Sequence, residues 1–254
     1  MNDIVREARL RLLRMHYESG VGHIGGNLSC LDVLLTLHHR VLRDEDRFVL
    51  SKGHAAGALY VTLWSRGLLT DDDLKQFHKE GTKLAGHPPV TGVPGVLFAT
   101  GSLGHGLGLA AGLALGKRLT GESGRVYCVM SDGEWNEGST WEALTFAAHQ
   151  QLDRLTFIVD LNGLQGFGTT AEVADLGELR EKLHSFRVQL LEIDGHDPAA
   201  IEAALRTESD RPIAIVARTI KGAGVSFMEH KMEWHYLPLT AAQYEQALAE
   251  IAGR

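Results

Sequence analysis

The sequence holds 254 residues, 44% of them hydrophobic, enough to bury a substantial core, and one domain over 1–254 is expected. A formal net charge of −7, with lysines and arginines dispersed along the chain, provides no surface for a phosphate backbone, so nucleic acid is not an expected partner. Two cysteines in apolar surroundings, no long apolar run and no signal-peptide pattern at the start predict buried thiols in a soluble, cytoplasmic protein that does not engage a membrane.

Residues 3–18 place Ile4, Val5, Ala8, Leu12, Leu13 and Met15 at helical spacing, with Gly20 as the stop. GVGHIGGN then reads as a Gly-rich loop, and Ser29 with Asp32 as a capping-box start to the apolar helix CLDVLLTLHHRVL. RFVLS is a short strand leading into the loop KGH, and 55–66 is a helix. Thr70 with Asp71, Asp72 and Asp73 opens a further short helix. The stretch 81–102, rich in Gly and Pro, reads as a long irregular loop of the functional kind.

Beyond it the pattern alternates. A small-residue helix over 107–119, strand RVYCVM, helix STWEALTFAAHQQ, strands LTFIVD and VQLLEID, helix DPAAIEAALRT and strand PIAIVAR follow in order, with TAAQYEQALAEIA as a last helix. Strands apolar along their whole length suit a mostly parallel sheet covered by helices on both faces, so a doubly wound α/β fold is predicted. Ligands in such folds gather beyond the carboxyl ends of the strands.

Two strand ends deliver oxygen ligands to that edge: Asp132 and Gly133 after RVYCVM, Asn162 and Gly163 after LTFIVD. A carboxylate and an amide oxygen form an incomplete set of the kind Mg²⁺ takes when substrate phosphates supply the rest. The same residues would also serve simply as a helix cap and a turn. Of 13 histidines, His23, His54 and His87 follow a Gly in predicted loops, and His235 lies near the end of the chain. Gly neighbours leave a ring accessible, and an imidazole can bind phosphates and carry protons. His38 and His39, inside an apolar helix, read as structural. A rival motif is present: Gly106, Gly108 and Ala111 fit a dinucleotide fingerprint, with Asp132 falling 24 residues after Gly108. Small residues packing a buried helix would explain the same pattern.

SDGEWNEGSTWEAL and IVDLNGLQGFG together resemble the thiamine diphosphate signature of the transketolase family. The similarity continues through GHIGGNLS, DRFVLSKGHA, GHP, GSLGHGLGLAAGLALG, IDGHD and TIKGAGVSFMEHKMEWH in family order, covering nearly the whole chain. The resemblance implies the thiamine-diphosphate-binding fold and transfer of a two-carbon ketol (glycolaldehyde) unit from a ketose to an aldehyde. It implies Mg²⁺, with Ca²⁺ or Mn²⁺ able to substitute, held by Asp132, Asn162 and the carbonyl of Leu164. Gly133, His54 and His235 would contact the diphosphate side of the cofactor, and Gly101, Ser102 and Leu103 the part nearer its aminopyrimidine. His23, His87 and His235 would be the catalytic histidines, with His23 and His87 facing the sugar. Glu137 would join an acidic network at a subunit interface, leaving Glu134 as a solvated or capping acid.

Ser131 stands where the family usually has Gly, His105 where Gln is usual, and Tyr236 where Gly is usual. No stretch matches the family's pyrimidine-binding and C-terminal domains, so a second subunit carrying them is the implied partner, in an α2β2 heterotetramer acting on a sugar or sugar phosphate. Alternatives within the same cofactor class are a carboligase or a 2-oxoacid decarboxylating subunit; outside it, an NAD oxidoreductase or a non-catalytic cofactor-holding subunit.

Overall fold

The computed structural model describes residues 2–253. Helix α1 (Asn2–Ser19) is followed by α2 (Ile24–Thr36), which runs on into a π turn over Leu37–Val41. Strand β1 (Arg47–Leu50), α3 (Ala56–Ser65) and α4 (Asp71–Leu74) come next. The irregular stretch precedes α5 (Gly106–Thr120), β2 (Val126–Ser131), α6 (Gly138–His149) and β3 (Leu155–Leu161). Two short helices that carry no clear periodicity in the sequence, α7 (Thr170–Ala174) and α8 (Leu179–His184), lead to β4 (Gln189–Asp194). The chain then forms α9 (Pro198–Leu205), β5 (Ile213–Arg218) and α10 (Ala241–Ala252). Thr70 opens α4 as expected and forms a capping box with Asp73, and Thr240 with Gln243 makes another at α10.

The five strands form one wholly parallel sheet in the order β1-β2-β3-β5-β4. Alternating side chains feed two cores. Tyr127, Val129, Ile158 and Ile215 pack with α1, α2, α3, α9 and α10, while Cys128, Met130, Phe157 and Val216 pack with α5, α6 and α8. Burial on both faces is why β2 and β5 read as unbroken apolar runs. Both cysteines are free and buried, and desolvation pushes the Cys30 thiol up to about 12 and Cys128 well above its ordinary value. Among the described residues no helix is long and apolar enough to cross a membrane.

Two local expectations are corrected. The segment GVGHIGGN is not a loop throughout: α2 begins at Ile24, and Ser29 and Asp32 lie within it rather than capping it. Tertiary partners claim both side chains, since Ser29 Oγ donates to Asp160 at 2.6 Å and Asp32 pairs with Arg9 and His196. The dinucleotide fingerprint also lacks its strand. No strand occurs over 81–105, and Gly106 instead lets α5 approach Ser51, whose Oγ would lie 2.2 Å from an added Cβ. Close packing therefore accounts for Gly106 and the buried Ala111, whereas Gly108 is exposed on α5.

Candidate functional site

The register Ser131↔Asp160 sets the ends of β2 and β3 level, so Asp132 and Asn162 leave the sheet from adjacent strands into one cleft. The cleft holds about 480 Å³ and receives His23 from the α1–α2 turn, His54 from the turn after β1, His87 from the irregular segment and His235 from the segment before α10. The His23 ring centroid lies 5.7 Å from His54, 6.0 Å from His87 and 5.0 Å from His235, and His54 lies 5.6 Å from His235. The three rings from Gly-His loops thus converge with His235.

His23 caps α2 in a left-handed conformation with φ 68°, costly for a side chain with a Cβ and characteristic of functional sites. Its backbone is held at both ends: its N–H donates to the His235 carbonyl at 3.0 Å, and its own carbonyl accepts from Asn27 Nδ2 at 2.7 Å. Gly101, with φ 147°, clears space for the His87 ring, which would sit 2.8 Å from a Cβ there. Desolvation, reinforced by neighbouring positive groups, lowers His23 to about 4 and His235 to about 3, carries His54 well below its ordinary value and lowers His87. The cluster is therefore neutral at physiological pH, each ring keeping one donor and one acceptor nitrogen.

Asp132 is 6% exposed, and its carboxylate accepts from the Gly133, Asn162 and Gly163 amides at 2.8, 3.1 and 2.6 Å. Burial, and then the neighbouring Asp160, push its carboxyl up to about 6, against the lowering effect of Lys52 and the amide donors. Asn162 Oδ1 accepts from Leu164 N at 3.1 Å while its Nδ2 faces Asp160 at 3.5 Å, which orients the amide. Among the described residues no group of three or more His, Cys, Asp or Glu side chains is arranged to hold a metal, so a cation here would rest on Asp132, an amide and a carbonyl. That hard-oxygen set suits Mg²⁺ with water and phosphate completing its shell.

Behind the cleft lies an ion pair that the sequence reading does not contain. Lys52 Nζ, 0% exposed as a residue, donates to Asp160 and, at 2.9 Å, to the Gly26 carbonyl; Ser29 and Thr219 also donate to Asp160. Asp160 is held below the usual carboxylate range by Lys52, whose attraction and hydrogen bond outweigh the opposing desolvation. Lys221 is a second unpredicted cleft residue. Its Nζ donates to the Leu164 and Gln165 carbonyls at 3.2 and 3.3 Å and to His235 Nδ1 at 3.1 Å. An ammonium only donates, so His235 Nδ1 accepts and its Nε2 keeps the proton. Desolvation and then Lys52 lower Lys221 to about 8, leaving it cationic at neutral pH.

The family described as transketolase, thiamine diphosphate binding domain, matches residues 2–252. The chain belongs to that family. It is 38% identical to one of the subunits of the apulose-4-phosphate transketolase of Phocaeicola vulgatus, over 97% of this chain and 92% of that protein. It is 37% identical to the 6-deoxy-6-sulfo-D-fructose transketolase subunit SqwG of a Clostridium species, over 91% and 89% of the two chains. The transketolase structure from Leishmania mexicana superposes with a TM-score of 0.92 at 27% identity, covering 99% of this chain and 41% of that one.

Within this transketolase-family cleft, Gly101, Leu103, Gly133 and Leu164 line the walls, while Ser102 sits between the first two as an exposed loop residue. Glu137 is exposed at the start of α6. Glu134 corrects the reading: it is 0% exposed rather than solvated, turned beneath β2 to accept from Ser51, Gly104 N and Ser131 N. Ser131 closes β2 with extended backbone, so the strand end has no need of glycine. His105 lies exposed at the entry to α5. The signal that could have found Lys52 and Lys221 is their place, each within three residues of a strand's carboxyl end, where a doubly wound fold gathers its ligand contacts.

Proposed function

We propose that the chain is the cofactor-holding subunit of a split transketolase, moving a two-carbon ketol unit from a ketose to an aldehyde once a partner subunit completes the site. The convergence of four neutral imidazoles in the cleft that Asp132 and Asn162 enter from adjacent strands carries this reading. Asp132, Asn162 and the Leu164 carbonyl hold Mg²⁺, for which Ca²⁺ or Mn²⁺ can substitute. Lys221, His54 and His235 meet the diphosphate, and Gly101, Ser102 and Leu103 border the aminopyrimidine side. When bound, thiamine diphosphate supplies the electron sink for breaking a carbon–carbon bond beside a carbonyl. His23 and His87 accept and return protons at the sugar hydroxyls, with His235 assisting through its Nε2 proton.

The partner is a subunit with the pyrimidine-binding domain, in an α2β2 assembly whose interface takes in Glu137. The match along nearly the full length of relatives named as transketolase subunits supports a split enzyme, as do the exposed apolar side chains of Phe167, Val173 and Tyr236 that line the cleft. Substrates named for those relatives make a phosphorylated or sulfonated sugar the favoured class. Buried free thiols fit the cytoplasm. The test is to purify the chain with its bound partner and assay ketol transfer over a donor and acceptor panel, with pyruvate as a control donor. The expected result is transfer from ketoses by the complex and negligible turnover by the chain alone. Robust transfer by the isolated chain would refute the split reading, and decarboxylation of pyruvate without ketol transfer would replace the transketolase assignment.

A further inference from the structure

Tyr236 stands where the family usually has glycine, and it meets two walls of the cleft, one through its backbone and one through its side chain. On one side its backbone carbonyl packs on Gly22 in the α1–α2 turn, 2.5 Å from where a Cβ would stand. On the other its phenolic oxygen lies over Gly166 in the loop after β3, 2.4 Å from a Cβ built there. The hydrogen bond from His23 N to the His235 carbonyl, 3.0 Å long, pins the preceding residue to the same turn. Its ring lies 4.8 Å from His235 and 6.4 Å from Phe167, with half of the residue exposed outward. One residue therefore bridges two walls of the cleft. The wall it reaches is the loop of Asn162 and Leu164, whereas His87 and Gly101 are grouped with His23 elsewhere in the cleft.

We propose that Tyr236 is a strap that closes the cleft over the Asn162–Gly166 loop and slows release of a diphosphate ligand held there. The inference rests on the cofactor reading above. An aromatic ring seated across an exit acts on dissociation, where differences in affinity are mostly expressed.

The strap predicts release rates for the partner-bound complex loaded with labelled thiamine diphosphate and Mg²⁺ and chased with unlabelled cofactor. Tyr236→Ala should release label about tenfold faster, and Tyr236→Phe should fall between it and wild type, because the phenolic oxygen reaches Gly166 while the ring stays against His235 and Phe167. Gly166→Ala leaves Tyr236 in the chain but drives its flexible phenol aside, so it should match Tyr236→Ala. The double variant should be no faster than either single one, as required of two changes acting on one contact. Uptake of label with wild-type release in Tyr236→Ala and Gly166→Ala would overturn the strap alone, as would effects that multiply in the double variant. A wild-type complex that takes up no label would overturn the cofactor reading and the strap with it.

Discussion

Histidines stand at both ends of α2, and burial lowers His23 and His38 alike to about 4. Their surroundings differ. His38, in the π turn, packs edge-on against Phe48 and is 6% exposed. His23 has left-handed backbone and three other imidazoles within 6.0 Å. Depressed basicity thus marks burial in both places, whereas convergence with other proton carriers and a desolvated carboxylate marks only the cleft as a site.

That contrast can be broken most sharply at Asp132. Asp132→Asn should weaken Mg²⁺-dependent thiamine diphosphate binding by the complex more than about 100-fold, and wild-type affinity in calorimetry would remove the metal from the cleft. Lys52→Met leaves Asp160 charged and unpaired in the interior, so urea unfolding should register a loss of about 3–5 kcal/mol. At the other end, the Arg40–Glu202 pair has 36% and 28% of its side chains exposed, and Arg40→Ala should cost no more than about 1 kcal/mol in the same measurement.

The two histidines should separate by what they change. His23→Ala should lower turnover of the complex about 100-fold, the scale of a lost proton-transfer group. His38→Phe should leave turnover alone and alter acid stability instead. For wild type, the unfolded chain gains a proton at His38 as pH falls through 6.5 while the folded chain stays neutral to about 4. Stability is therefore intact above that window and lost on acidification within it. Between pH 7.5 and pH 5, His38→Phe should lose about 2 kcal/mol less than wild type in chemical denaturation.

Much of this cleft is written locally. Apolar strands followed at once by Asp132 and Asn162 announce a parallel sheet with oxygen ligands at its edge, and glycines before His23, His54 and His87 announce accessible rings. The Lys52–Asp160 pair is not local, because its partners are 108 residues apart and meet only when β1 and β3 flank β2. The environment of Glu134 is non-local for a related reason, since its partner Ser51 lies 83 residues away. A carboxylate among carboxylates looks solvated until the turn over Gly133–Asn136 folds it back onto Ser51 and Ser131 N. The start of α2 was hidden by its glycines, which ordinarily disfavour helix but here sit against Lys221 and His54, where larger residues would crowd the cleft.

The two sealed thiols have a practical consequence. With Cys30 and Cys128 inaccessible and held protonated, the native chain is silent toward maleimides and other alkylating reagents. A cysteine introduced at Leu237, 49% exposed and next to Tyr236, would be the single reactive handle for a fluorophore, with no need to rebuild the interior first.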